Sequence, residues 1–433
     1  MKLTLPALSV CLLLMITSPG LPGAELKPIV INHVTVIDTR TGAANADLTV
    51  VVVGEKIKAL GPAVEAPSDA RVIDGKDKFL IPGLWDMHVH LREEGFLGLL
   101  AANGITGVRE MGNDPSQISR WRRMTADGKI IGPRIVMAGL IMDGPEPMWP
   151  TISDSIKSES DARKAVQNAK KNGWDFIKVY QGLTREAYFA ILDEAKRQGL
   201  IVAGHVPSAI TAGEASDAGQ KSIEHFGGVL IASGRDYSNE RASALFAKFV
   251  KNGTWQDPTL VVKHALAYIN ELQQANDERL KYIPARLKER WDPERDFRLN
   301  NRPPQYFTRQ KNLFAANLEL VRAMSNAGVK FLAGTDLGNP YIFPGFSLHD
   351  ELALLVSAGL TPLEALQTAT INPAEFLGLL DSHGTVEIGK TADLVLLEAN
   401  PVEEINNVRK IAAVFVRGQY LGQAELKKIL SKY

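Results

Sequence analysis

Along the chain the apolar residues change their rhythm twice. Residues 29–80 carry short β-branched runs, Ile29-Val30-Ile31 and Leu48-Thr49-Val50-Val51-Val52-Val53, punctuated by turn signals at Val53-Gly54-Glu55-Lys56 and Asp74-Gly75-Lys76. That is the pattern of short strands in a small β-domain. The same texture returns at Gly384-Thr385-Val386, Ala392 to Leu397 and Ala412 to Gly418. Two strand-rich flanks around a long middle predict one β-sandwich domain assembled from both termini, residues 25–80 and 375–433.

The middle alternates between strand-like and helical periods. Strand-like segments fall at Ile81 to His90, Gly104 to Glu110, Arg134 to Leu140, Asp175 to Tyr180, Leu200 to Val206, Ser222 to Phe226, Thr254 to Val262 and Lys330 to Asp336, eight in all. Between them Ser160 to Lys171, Arg185 to Gln198 and Glu240 to Asn252 place apolar residues three and four apart, as one face of a helix requires. After the last strand, Thr361 with Pro362 and Glu364 makes a capping-box start. Eight such units predict an α/β chain folded as a (β/α)8 TIM barrel over residues 81–374. A doubly wound open sheet is the rival, and no glycine-rich dinucleotide fingerprint follows any strand to favour it. Residues 263–329 are an oversized connection, two helical charge-rich stretches broken at Asn301-Arg302-Pro303-Pro304. Connections of that length act more often as lids or binding elements than as spacers.

The first two dozen residues stand apart. Lys2, the apolar run Leu8 to Ile16, the breaker Ser18-Pro19-Gly20 and the small residues Gly23 and Ala24 read as a signal peptide over residues 1–24, with a membrane anchor as the alternative. Its removal predicts a periplasmic or secreted protein without stable membrane association. Cys11, the only cysteine, leaves with it, so the mature chain has no thiol for catalysis, disulfides or metal binding. Basic and acidic side chains balance at 49 each, and no basic stripe marks a nucleic-acid binder. A small-molecule substrate is the expected partner, and self-association into a homo-oligomer stays open.

Six polar residues fall at or near the ends of the predicted barrel strands, where barrel enzymes build their sites. His88 and His90 are two apart in Asp86-Met87-His88-Val89-His90, so on a strand both imidazoles point the same way. Lys178 is a lysine within the apolar strand Phe176-Ile177-Lys178-Val179. Either it reaches the mouth or an acid, or burial lowers its pKa until the neutral amine adds carbon dioxide and becomes a carbamate with two oxygens. His205, His225 and Asp336 end three later strands. Four imidazoles, a carboxylate and a candidate carbamate form a nitrogen and oxygen donor set suited to zinc or a similar divalent ion.

With these residues in place, the chain resembles the amidohydrolase superfamily, in its imidazolonepropionase-like and prolidase-like (Xaa-Pro dipeptidase-like) branch. The resemblance runs from Ile81-Pro82-Gly83 and the His-x-His through Ala333-Gly334-Thr335-Asp336, Leu348-His349-Asp350-Glu351-Leu352 and Thr368-Ala369-Thr370-Ile371-Asn372-Pro373-Ala374 to Gly389-Lys390-Thr391-Ala392-Asp393-Leu394-Val395. It implies that His88, His90 and Asp336 hold one metal, that His205 and His225 hold a second, and that N6-carboxylated Lys178 bridges them. Lys178 favours the two-metal relatives over the one-metal imidazolonepropionase site. Some relatives carry a tyrosine shortly after the first of the later histidines, where this chain has Val206-Pro207-Ser208.

The mechanism expected of such a site is attack on an amide carbonyl by a metal-bridging hydroxide, with Asp336 shuttling the proton to the leaving nitrogen. The expected substrate is peptide-like or an N-acyl amino acid. A cyclic amide, lactone or phosphotriester on the same metals is the alternative, and a non-catalytic metal- or ligand-binding protein a remoter one. Tyr180, Gln181, Tyr237 and His264 are candidate substrate contacts, with Arg109 and Arg241 near the same strand ends. Asp86 is either the partner of a ligand histidine or a plain strand-end carboxylate; His349 stands behind the ligands at most, and His33 and His383 are expected at the surface.

Overall fold

The computed structural model describes residues 27–433 apart from 235, 236, 238, 275, 293 and 297, and the stretch read as a signal peptide lies outside the described residues. The fold is mixed α/β. Strands from both ends of the chain join in one eight-stranded sheet. Ile29–Ile37 lies antiparallel to Ala44–Val53 and parallel to Arg71–Asp74 and Phe79–Pro82. Phe79–Pro82 pairs in turn with Leu394–Leu397, which leads through Ile411–Val416 to Gln419–Leu421. Alternation puts Ile31, Val50 and Val52 from one end against Leu394, Leu396 and Phe415 from the other in a core of their own. Ile57 N–H donates to Lys390 O at 3.0 Å and Ala392 N–H to Glu55 O at 2.8 Å, so the sheet curls over that core.

Strands of the middle region run parallel. Leu84–Val89, Ile105–Glu110 and Arg134–Met137 form a three-stranded sheet, and Ser153–Ser155, Ile141–Asp143, Phe176–Val179, Ile201–Gly204, Ser222–Glu224 and Trp255–Asp257 a six-stranded one in that order. Backbone bonds join them: Asp175 N–H to Met137 O at 2.9 Å, Leu332 N–H to Gln256 O at 2.9 Å, and Met87 N–H to Ala333 O at 2.8 Å. Intervening helices start as the sequence predicts. Glu159–Lys171, Arg185–Gln198 and Glu240–Asn252 are capped by the side chains of Ser158, Thr184 and Asn239, and Thr361 with Glu364 forms the capping box.

Lys330 to Asp336, predicted as the eighth strand, forms no strand: it keeps one isolated parallel bridge, Phe331 to Gln256, and backbone bonds to both neighbours before Asp336 turns left-handed. Three boundaries also differ from the periodicity. The run from Ile81 to His90 divides at Gly83 into Phe79–Pro82, which belongs to the terminal sheet, and Leu84–Val89. The run from Thr254 to Val262 stops at Asp257, and Leu260–Ala267 is a helix. A short apolar run fits either period; here Pro258 ends the strand, and the Glu351 carboxylate accepts from the N–H groups of Leu260 at 2.9 Å and Val261 at 2.6 Å, fixing a helix start. The break at Pro303-Pro304 is the first turn of a 23-residue helix, Pro304–Asn326, because proline suits a position whose N–H has no helical acceptor. No helix among the described residues is long and apolar enough to cross a membrane.

Candidate metal centre and active site

His88, His90, Lys178, His205, His225 and Asp336 all line one cavity of about 910 Å³. Their rings crowd together, with centroids 5.5 Å apart for His88 and His90, 4.6 Å for His88 and His225, and 4.9 Å for His205 and His225. The Nε2 atoms of His88, His90 and His225 stand 3.7, 3.4 and 3.8 Å from the Asp336 carboxylate. Around a tetrahedral zinc with bonds of about 2.0–2.1 Å, neighbouring donor atoms lie roughly 3.4 Å apart. Among the described residues, His88 Nε2 and Lys178 Nζ are buried without a hydrogen-bond partner, a costly state that a cation, and a carbamate on the lysine, would relieve.

Close approach and unusual backbone bring these groups together. His225 and Asp336 adopt left-handed φ of +58° and +59°, and Thr259 beside them +46°, a conformation seldom used by a β-branched residue and costing about 1–3 kcal/mol where it occurs. Gly334 has no alternative, since a Cβ there would stand 2.5 Å from both Asp257 Oδ2 and His88 Cβ. Its segment can therefore lie close against His88 and deliver Asp336.

Burial shapes the electrostatics. Desolvation, reinforced by Lys178, holds His88 and His205 well below the usual imidazole range; desolvation and neighbouring imidazoles do the same for His225. His90 falls to about 3 through burial and the adjacent Arg92. All four rings are neutral near pH 7, the form that binds metal. Desolvation lowers the Lys178 ammonium to about 8, toward the neutral amine that carboxylation needs, and raises the Asp336 carboxyl to about 6.

The outer ring nitrogens are also held. His90 Nδ1 meets Gly112 O at 2.8 Å and His225 Nδ1 meets Thr259 Oγ1 at 2.6 Å. His88 Nδ1 meets Glu224 Oε2 at 3.0 Å, and Glu224 is gripped by Arg109, whose Nη2 donates to both carboxylate oxygens at 3.0 and 2.9 Å. Arg109 also donates to Met87 O, Ser222 Oγ and Asp257 Oδ2. Burial and the neighbouring Glu224 push Asp257 well above the usual carboxylate range, while Arg109 meets both carboxylates beneath His88. Arg109→Met strands the Glu224 charge, and we expect it to cost about 3–5 kcal/mol of stability in urea unfolding. A loss under 1 kcal/mol would contradict this account of the network.

Other candidates fall elsewhere. Tyr180 lines the cavity, its ring 4.0 Å from His205 and its hydroxyl accepting from Trp149 Nε1 at 3.1 Å. Gln181, Tyr237 and His264 are not brought to that lining: Gln181 turns to Met148, Tyr237 donates to Ala316 O, and His264 stacks on Tyr268. Arg241 is exposed on a helix. Arg109 is buried beneath His88 on Glu224 and Met87 O and does not line the cavity. Asp86 accepts from the backbone N–H of Thr335 at 3.0 Å and its hydroxyl at 2.6 Å, so it braces the turn into Asp336 rather than an imidazole. His349 bonds Asn103 O at 3.0 Å and does not line the cavity. His33 is exposed, as its place suggests, but His383 is buried against the edge of Trp85, because its loop folds back over that ring. Glu224, Thr259, Glu351 and Lys263 were not singled out by sequence; for Glu224 the signal was a charge next to a ligand histidine inside a short apolar strand.

Comparison with known proteins follows the same line. The chain is 24% identical over 402 residues to ochratoxinase from Aspergillus niger, spanning 77% of this chain and 73% of that one. Among solved structures it is similar to a bottromycin amidohydrolase, with 26% identity, a TM-score of 0.78 and coverage of 94% of this chain and 89% of that one. A Xaa-Pro dipeptidase with bound methionine matches at 23% identity and a TM-score of 0.72, over 92% of this chain and 100% of that one. The model of the Amidohydrolase family matches residues 79–421, more than three-quarters of the sequence, and so the chain belongs to that family and is a hydrolase.

Proposed function

We propose that the protein is a two-metal hydrolase that cleaves an amide bond in a small peptide-like or N-acyl amino acid substrate. In this reading the parallel strands close as a (β/α)8 barrel over residues 81–374, residues 263–329 cover its mouth, and the curled terminal sheet is a β-sandwich built from residues 25–80 and 375–433. A signal peptide over residues 1–24 sends the mature protein to the periplasm or outside the cell. The hydrogen bonds that link the three- and six-stranded sheets through Lys330 to Asp336 support the closed barrel, and Arg286, Trp291 and Arg298 on the cavity wall support the cover.

One observation carries the chemistry: three imidazole Nε2 atoms converge on Asp336 in the cavity where Lys178 Nζ is buried without a partner. His88, His90 and Asp336 would hold one divalent ion, most naturally zinc, His205 and His225 would hold the second, and Lys178, once carboxylated, would supply oxygen donors to both. Bound there, the ions supply a water that ionises near neutral pH and a Lewis acid for the carbonyl oxygen. Asp336 takes the proton from the attacking water and gives it to the leaving nitrogen, so that the carbon–nitrogen bond breaks to an acid and an amine. Burial pushes the Tyr180 hydroxyl up to about 12, so it remains a donor at the cavity wall. The likeness to a bottromycin amidohydrolase and a Xaa-Pro dipeptidase supports an amide as the bond cleaved.

Metal analysis of the purified protein should return two ions per chain, and a panel of dipeptides and N-acyl amino acids should release amine. One ion with unmodified Lys178 would move the assignment to a one-metal site. Turnover of lactones or phosphotriesters but of no amide would replace the bond while keeping the metals.

A further inference from the structure

The wall of the metal cavity is strongly basic. Leaving Lys178 aside, Arg92, Lys263, Arg286, Arg290, Arg295 and Arg298 line it, against the carboxylates of Asp296 and Asp336. Several of these cations are neutralised within the protein. Arg298 donates to Asp296 and Asn339, Arg286 pairs with Glu93, and Arg295 lies 3.8 Å from Asp292. Lys263 is different: among the described residues its ammonium has no hydrogen bond and no ion pair, and it stands 6.0 Å from the centroid of the Phe226 ring.

Its position is fixed rather than free. Lys263 stands one turn into the helix Leu260–Ala267, whose first N–H groups are clamped by Glu351. Thr259, immediately before that helix, is the residue that holds His225. One backbone element therefore sets both a ligand imidazole and the ammonium. Lys263 lines the same cavity as His205, His225 and Asp336, and through space its charge disfavours protonation of both imidazoles and interacts with Asp336 and Glu351. Burial lowers it to about 8, and the charges of Asp336 and Glu351 offset that only in part. Next to divalent cations such a charge is repelled further, and an anion from outside the protein is what would offset it.

We propose that Lys263 is the specificity residue that binds a free carboxylate on the leaving-amine side of the substrate. This rests on the amide-hydrolase reading above: Asp336 delivers its proton to the leaving nitrogen, so the carbon bonded to that nitrogen lies beside Asp336, within the field of Lys263. A carboxylate there completes an ion pair, whereas a carboxamide leaves the ammonium unmatched. Arg92 and Arg290, which also lack a partner within 4 Å among the described residues, widen the positive field at the cavity wall and draw anions in.

The test compares N-acetyl amino acids with their carboxamides on metal-loaded protein, by amine release and by quenching of fluorescence from Trp149 and Trp291 on the cavity wall. Wild type should prefer the acids by about 10- to 100-fold in kcat/KM, the range of one charge-assisted hydrogen bond. K263M should bring that ratio near one, chiefly through KM, and K263R should restore part of it, with two metals bound in each variant. An equal drop for acids and carboxamides, or a ratio untouched by K263M, overturns the assignment. If no amide turns over but acids still bind in a Lys263-dependent manner, the carboxylate anchor stands and amide hydrolysis falls. Should acids and carboxamides turn over alike in wild type, hydrolysis stands and the anchor falls. Neither binding nor turnover overturns both.

Discussion

Asp336→Asn lowers kcat for amide hydrolysis by about 10²- to 10⁴-fold, the range that a positioned general base contributes, while leaving the fold close to wild type. The substitution suits the backbone. Asp336 sits at φ +59°, and asparagine is among the few residues that take this conformation readily. Asparagine also keeps an oxygen toward the three imidazoles, but an amide cannot accept and return a proton. Steady-state rates with circular dichroism and metal analysis on one preparation check the expectation. Retained turnover with both ions present would assign the proton shuttle to another group.

Lys178→Met separates metal bridging from packing. The side chain is 1% exposed on an apolar strand, and methionine keeps its length while removing the unpartnered nitrogen. The variant is expected to fold at least as stably as the metal-free wild type, since it no longer buries an uncompensated polar atom. Metal content, however, should fall from two ions per chain to one or none. Turnover should drop by more than roughly 10³-fold, as expected when several kcal/mol of transition-state stabilisation are lost. Two ions retained in the variant would show that the lysine does not bridge them.

What could be read from the sequence was local. His88 and His90 declare a shared face through two-residue spacing, and Lys178 stands out because its neighbours Ile177 and Val179 are apolar. Supporting contacts were not legible, because they join residues far apart in the chain. Arg109 reaches Glu224 across 115 positions, and Glu351 clamps a helix start about 90 residues before it. No period in either segment announces such a pairing. The misread run from Thr254 to Val262 has the same root: Leu260-Val261-Val262 suits strand and helix alike, and the distant carboxylate decides. His383 was assigned to water from its place in the chain, whereas the fold of its loop against Trp85 excludes water.

The pairing of Phe79–Pro82 with Leu394–Leu397 sets an order of events during synthesis. The earlier strand leaves the ribosome roughly 310 residues before its neighbour, a delay of about 15 to 60 s at 5–20 residues per second. Throughout that interval Phe79-Leu80-Ile81 presents an apolar edge with open backbone groups, the kind of surface that recruits other chains. Nascent or truncated forms ending before Leu394 are therefore the species most exposed to aggregation, and a holding chaperone acts to best effect on this stretch.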